Sequence, residues 1–176
     1  MILSDEAIRL EVTLGNLVVD PLPPDSAFQP ASLELRLAEA ITLQPGEFWL
    51  SHVLERIEIP RHLVGQVNGK SSLGRLGLLV HATAGFVDPG FTGQLTLELK
   101  NLGDRPIELE QHQPVCQLVL FGVSDMVLRP YGHRDLGSHY QGQSGTTPSW
   151  LEERREAEAR EWRRLGAYRH RTSSGP

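Results

Sequence analysis

Between Gly69 and Glu98 the chain reads GKSSLGRLGLLVHATAGFVDPGFTGQLTLE, and the side chains whose spacing suggests chemistry fall almost entirely there. Gly69-Lys70-Ser71-Ser72, ahead of a short helical pattern, offers hydroxyls and unpaired backbone N–H groups at a helix start, the makings of an anion cradle. Arg75 falls one turn after Ser71 on the same side, where a guanidinium can add a bidentate phosphate contact. The plainer reading is a serine that caps a helix followed by a solvated arginine. The run is not a Walker loop, which has a longer spacer before its Gly-Lys pair. Gln94, Thr96, Glu98 and Lys100 then share one face of a strand, and Leu95, Leu97 and Leu99 the other. On pattern alone that is a wet face with Glu98 beside Lys100. The alternative is a partly desolvated carboxylate in a cleft, placed to move a proton. Asp88-Pro89-Gly90 is turn chemistry first, with a side chain also suited to a ligand hydroxyl. Phe91 reads as core or as a stacking platform, and Gln117 and the histidines carry no signal by spacing.

The elements that must hold these groups are mostly strands. Ser4 can cap a helix over 4–14, with Asp5 and Glu6 in its first turn and Gly15 as its stop. Pro21, Pro23, Pro24 and Pro30 extend the connection that follows. From Ser32 to about Met126 the pattern has period two, in Leu33/Leu35/Leu37, Ile57/Ile59, Leu95/Leu97/Leu99 and, more loosely, Val115/Leu118/Leu120. Turn signals recur between these runs, which predicts an antiparallel sandwich or barrel, with a helical break over Ser71–Leu79. Residues 132–148 are rich in Gly, Ser, Gln and Thr and predict a mobile tail after a β domain over 1–131. Ser149-Trp150-Leu151-Glu152 resembles a capping box that opens a helix over 149–166. Leu151, Trp162 and Leu165, with Glu158, line one side as a narrow stripe suited to docking, and 167–176 should fray.

Composition narrows the classes. A 176-residue chain with 39% hydrophobic residues has the makings of a globular core. No apolar run approaches the ~20 residues that span a bilayer, and the first residues carry acids where a signal peptide carries basic ones. The single cysteine, Cys116, fits a reducing compartment, so a cytoplasmic protein without a membrane partner is expected. A net charge of −5 argues against a nucleic-acid partner while leaving a small nucleotide site open. One cysteine cannot complete the His-x-Glu and Pro-Cys-x-x-Cys set of the zinc deaminases, and neither HExxH nor Gly-x-Ser-x-Gly occurs. Any deamination by this chain would run without zinc.

Lys70-Ser71-Ser72-Leu73-Gly74-Arg75, the run Thr83–Phe91, Thr96-Leu97-Glu98 and Tyr140-Gln141-Gly142-Gln143 together resemble, in order and spacing, the motifs of the dCTP deaminase family within the dUTPase-like fold. The resemblance runs from Leu3 to about Ser149 and includes Gln29–Arg36 and Arg129-Pro130-Tyr131. It implies a mainly β, jelly-roll or distorted-barrel subunit in a homotrimer with active sites at subunit interfaces. It implies Glu98 as the proton shuttle for water attacking cytosine C4, with Ser71, Arg75 and the carbonyl of Ala84 positioning that water and stabilising the tetrahedral species. It further implies Lys70, Ser72, Leu73 and Gly74 around the phosphates, Asp88 on the deoxyribose 3′-hydroxyl, and Phe91 where a 2′-hydroxyl would clash. Thr96 and Leu97 would read the base through their backbone, Gln117 would belong to the binding site, and Tyr131, His139 and Gln143 would close over the triphosphate.

One branch of that family releases dUTP; the other also cleaves the α–β phosphate bond and releases dUMP and diphosphate. Gly85-Phe86 stands where the first branch has His-Arg, and with Gln117 resembles the dUMP-forming branch. Diphosphate release implies Mg²⁺ carried by the triphosphate rather than by protein side chains, and the family implies dTTP as a candidate feedback inhibitor. His139 replaces the usual tail lysine, so triphosphate affinity is expected to be weaker and more pH dependent. Glu34 stands, one methylene longer, where the family has an aspartate that would support metal or phosphate handling. The competing readings are a dUTP-releasing deaminase, a plain dUTPase, whose tail motif differs from this one, and a non-catalytic nucleotide-binding regulator.

Overall fold

The alternation that begins at Ser32 folds into antiparallel strands. The computed structural model describes residues 1–172. In chain order its elements are α1 (Asp5–Thr13), β1 (Val18–Asp20), β2 (Phe28–Gln29), β3 (Ser32–Arg36), β4 (Ile41–Leu43), β5 (Phe48–Glu58), β6 (Leu63–Gly69), α2 (Ser71–Gly74), β7 (Leu78–Leu79), β8 (Phe86–Val87), β9 (Thr92–Asn101), β10 (Ile107–Leu109), β11 (Pro114–Gly122) and α3 (Trp150–Thr172). One sheet runs β1-β5-β9-β7, a second β2-β3-β11-β6-β8, and β10 pairs with β4. The expected jelly-roll-like β architecture is the one observed, with its sheets left unclosed.

The core lies between the two larger sheets. Leu33, Leu35, Leu37, Ile57, Leu97, Leu99, Leu118 and Leu120 are fully buried, each removing a side chain worth about 1.5–3 kcal/mol from water. The looser alternation in β11 has a local cause. The ladder with β3 slips between Pro114 and Cys116, and both Val115 and Cys116 end up buried. A larger slip interrupts β5 against β9. His52 faces Thr96 and Arg56 faces Gln94, so Leu95 alone stands opposite Val53, Leu54 and Glu55. Glu55 is completely buried. Its Oε2 accepts from the Arg36 backbone N–H (3.0 Å) and its Oε1 from Arg36 Nε (2.6 Å). Arg36 also donates to the Pro21 carbonyl (3.1 Å), so one ion pair ties β3 to β5 and to the segment after β1.

Three expectations change. The helix expected over Ser71–Leu79 is a single turn, Ser71–Gly74. Gly77 adopts φ +97° against the Gly103 backbone, and Leu78–Leu79 then pair with Asn101 and Lys100 of β9. The helix at the C-terminus runs to Thr172, beyond the expected stop at 166; 173–176 lie outside the described residues. Of its expected stripe, Leu151 and Trp162 are both exposed, and the side chain of Leu165 lies outside the described residues. The capping box is half made: Ser149 Oγ accepts from Leu151 N (3.3 Å), while Glu152 lines a cleft.

Glu55→Ala removes one partner of a buried ion pair and strands the other. It should lower unfolding stability by about 3 kcal/mol in urea titration. A loss below roughly 1 kcal/mol, the scale of an exposed pair, would mean that Arg36 finds equivalent partners.

Candidate functional site

Strand pairing builds a cleft of about 560 Å³ around Glu98. β9 supplies Leu95, Thr96 and Glu98; β5, in register through Leu50 opposite Glu98, supplies Phe48 and Leu50. The loop from Ala82 through β8 to Phe91 forms a second wall with Thr83, Ala84, Phe86 and Asp88. Tyr131, Tyr140, Gln143, Thr147, Ser149 and Glu152 close it from the chain's last third.

Glu98 does not lie on a wet face beside Lys100. It is half-buried, and its Oε2 accepts a 2.7 Å hydrogen bond from the Ala82 backbone N–H. Lys100 turns away and donates to the Gly46 carbonyl. One Glu98 oxygen is thus fixed by an amide dipole, and Oε1 has no hydrogen bond among the described residues. Asp88 opens its turn with its carbonyl accepting from Phe91 N (3.1 Å), and Gly90 N donates to Ile59 O (2.9 Å). Phe91 is buried, with its ring 5.9 Å from that of Tyr131 and tilted by 53°. Phe91 is therefore both core and cleft wall. Leu97 points into the core, so only its backbone is available to a ligand.

The tail lies along β9. The short β7 covers only Lys100 and Asn101 of β9, leaving the strand's first half as an open edge, and the tail takes that edge. Gln94 N donates to Gln143 O (3.0 Å), Gly142 N to Thr92 O (2.7 Å), and Gln143 Nε2 to Gln94 O (2.6 Å). Farther along, Thr147 N donates to Thr96 Oγ1 (3.2 Å), and Thr146 Oγ1 lies 2.9 Å from His52 Nδ1. The aromatic residues continue the closure. Tyr140 N donates to Tyr131 Oη and Trp150 N to Tyr140 Oη, both at 3.1 Å. His139 lies outside the cleft lining, stacked on Trp150 at 3.9 Å.

The second group of expected residues lies elsewhere. Lys70, Ser71, Ser72, Leu73, Gly74 and Arg75 do not line this cleft, and neither does Gln117. Leu73 anchors the turn in the core while Ser71, Ser72 and Arg75 are exposed. Lys70 pairs with Glu34 across the sheet, and Gln117 stands between Glu34 and Asn68 in register. Burial pulls the Lys70 ammonium below the ordinary lysine range. Burial pushes the Cys116 thiol far above its usual range, with the Glu55 carboxylate adding to the effect, so it stays protonated and unreactive. Gly85 is held where a Cβ would lie 2.9 Å from both His81 Nε2 and the Val67 carbonyl, and neighbouring Phe86 stands 64% exposed at the cleft mouth.

Sequence reasoning missed Phe48, Leu50, Tyr140, Thr147 and Glu152 as cleft residues. Their signal was the pairing of β5 with β9 and of the tail with β9, which only register reveals. Among the described residues no group of three His, Cys, Asp or Glu side chains could hold a metal ion, and no helix is long and apolar enough to cross a membrane.

Comparison with known proteins bears on the family and the fold. Residues 34–123 match the family model described as "dCTP deaminase-like". A Mycolicibacterium vanbaalenii protein named "dCTP deaminase, dUMP-forming" is 43% identical over 181 aligned residues, spanning 85% of this chain and 95% of that one. A Corynebacterium jeikeium protein of the same name is 44% identical, with 85% and 96% covered. Among solved structures, the 2′-deoxycytidine 5′-triphosphate deaminase of Agrobacterium tumefaciens superposes with TM-score 0.60 at 23% identity, over 68% of this chain and 47% of that one. The EIAV dUTPase superposes at 0.52 with 24% identity, over 65% and 95%. Both share the fold, and with 40–44% identity to relatives across most of its length the chain belongs to the dCTP deaminase-like family.

Proposed function

We propose that the chain deaminates dCTP without zinc and cleaves the α–β phosphate bond, giving dUMP, ammonia and diphosphate. Each site would be shared between copies of the chain in a homotrimer. The observation that carries this reading is the charge of the cleft. Among the described residues, Asp88, Glu98 and Glu152 line it and no Lys or Arg does. A triphosphate would be repelled from such a surface unless cations came from elsewhere. Arg75, beside Ser71 and Ser72 at the exposed α2 turn, is the cation that a neighbouring copy can bring, with Lys70, paired with Glu34, at the start of that turn.

In this reading the cleft holds the nucleoside and the neighbour's α2 turn holds the phosphates and the attacking water. Glu98 is oriented by the Ala82 amide, and its free Oε1 takes a proton from water as the oxygen bonds to cytosine C4. The C4=N3 π pair moves onto N3, which takes that proton back from the carboxyl; the carboxylate then carries the C4 hydroxyl proton to the amine, which leaves as ammonia while the C4 carbonyl forms. Ser71 and Arg75 of the neighbouring copy steady that intermediate, with the Ala84 carbonyl on the cleft side. The Thr96 and Leu97 backbone reads the base, Asp88 accepts from the 3′-hydroxyl, and Phe91 against Tyr131 leaves no room for a 2′-hydroxyl. Lys70, Ser72, Leu73 and Gly74 hold phosphates, Gln117 supports that turn through its place beside Glu34, and Gln143 and Tyr131 close the cleft. His139 acts from the rim through its stack on Trp150.

The diphosphate step is assigned from Gly85-Phe86 and from the names of the relatives. Water displaces diphosphate at the α-phosphorus, and Mg²⁺ bound to the triphosphate supplies charge neutralisation for the leaving group. dTTP shares the deoxyribose and the triphosphate and is the candidate inhibitor of the same cleft. The single cysteine suits the cytoplasm as the location.

Following dCTP with Mg²⁺ while separating dUTP from dUMP and assaying ammonia tests the reaction. Ammonia with dUMP and little free dUTP is expected, and accumulating dUTP would remove the diphosphate step. Glu98→Gln should abolish ammonia release while nucleotide still binds; retained deamination in a clean preparation would sink its assigned role. Arg75→Ala should lose about 2.7–4 kcal/mol of transition-state stabilisation, read from kcat. Coexpressing the two inactive variants should restore activity at roughly a quarter of the interfaces, those that combine an intact Glu98 with an intact neighbouring Arg75. No recovery in verified mixed trimers would place both residues in one subunit's site.

A further inference from the structure

We propose that Gln94 is a positioning residue that latches the tail, residues 140–147, over the cleft. This rests on the reading of the cleft as the nucleotide site, although Gln94 itself does not line it. Gln94 commits every polar group it has. Its side-chain Nε2 donates to the carbonyls of Val53 (3.2 Å) and Leu54 (3.0 Å). Its side-chain Oε1 accepts from Gly145 N (2.8 Å) and Ser144 Oγ (3.4 Å). Its backbone N–H and carbonyl hold the two ends of Gln143, the main-chain oxygen and the side-chain amide. Three of these four groups face the tail, and one faces the body.

The body end is not arbitrary. Val53 and Leu54 lie in the register slip of β5, where Leu95 alone faces three residues. Neither residue has a register partner of its own on β9, and the Gln94 amide donates to both carbonyls. The carboxamide therefore links a defect in the sheet to the segment that closes the cleft. Only a side chain with two donors and an acceptor at the end of a flexible stem meets this demand. A glutamate would turn an anion onto two carbonyls, and a leucine would satisfy none of the four partners. Because Gln143, Tyr140 and Thr147 all line the cleft, the position of Gln94 sets where the lid residues sit. The latch consists of neutral hydrogen bonds to an otherwise polar segment, each of modest strength, so it can release for nucleotide exchange and re-form.

The test compares Gln94→Leu with wild type in two ways. Amide exchange is measured first on the nucleotide-free protein. The latch predicts exchange at 141–147 faster by about tenfold or more, while β6 and β11 keep their protection. Steady-state kinetics on dCTP follow, with KM expected to rise by about tenfold or more and kcat to fall less, because closure is weakened and the reacting groups are untouched. Faster exchange spread evenly through both sheets, or a fall in kcat with KM unchanged, would overturn the latch and leave Gln94 a structural residue of β9. If Gln94→Leu does not fold, Gln94→Glu keeps the side-chain length and an acceptor for Gly145, and the same pattern is expected of it. The two readings separate cleanly. Unchanged tail exchange in a variant of an active deaminase defeats the latch alone. Faster tail exchange in a protein that never releases ammonia from dCTP leaves the latch standing and removes the function.

Discussion

The slip in β5, where three residues face one, is the constraint from which the rest of the molecule follows. A regular ladder would have carried β5 straight along β9. The extra residues bend it, so that Phe48 and Leu50 line the cleft while Arg56–Glu58 turn to pair with both β9 and β1. The slip also makes demands. Glu55 is driven into the interior and must be met by Arg36, while Val53 reaches across to bridge Leu37. The carbonyls of Val53 and Leu54 must be met by Gln94. One irregularity thereby fixes the join between the two large sheets, the shape of the cleft wall and the point where the tail is held.

The candidate chemistry is divided between these sheets. Glu98 hangs on β9 of one sheet, whereas the loop around β8 and the α2 turn after β6 belong to the other, where β8 and β6 pair. Leu73 pins that turn to the core and Lys70 pins it to Glu34 on β3, leaving Ser71 and Arg75 to face outward. On the proposed reading, the carboxylate-lined cleft and the exposed α2 turn would complement each other between copies, because a polyanionic substrate would need cations that the cleft lining does not supply.

Much of this was legible beforehand. The leucine alternations predicted strands that now carry the buried core, and the motif order around Ser71, Asp88 and Glu98 named the family before any register was known. What stayed hidden was non-local. The helix after Ser71 stops because Gly77 packs on Gly103, a contact across 26 positions that helical pattern cannot carry. The polar face of Gln94, Thr96 and Glu98 reads as solvated because nothing in its own sequence announces that a segment some fifty residues later will cover it. The tail's composition read as mobile for the same reason. Its Gln and Thr side chains have no partner until β9 offers an unpaired edge.

That edge explains why the lid is polar and why one glycine is required beneath it. An unpaired half-strand invites association with other chains, and covering it with the tail removes the hazard. Gly93 permits the approach. It holds φ +145°, and a Cβ there would lie 2.7 Å from the Gln143 carbonyl. An apolar lid would bury more firmly but would release reluctantly, at a cost set by exposed hydrocarbon. A lid held by backbone and amide hydrogen bonds exchanges its partners for water when it lifts, so opening costs little while the closed geometry stays well defined. On the proposed latch, protection of the strand edge and admission of a nucleotide would be met by the same set of bonds, and Gln94 sits where that set joins the slip in β5.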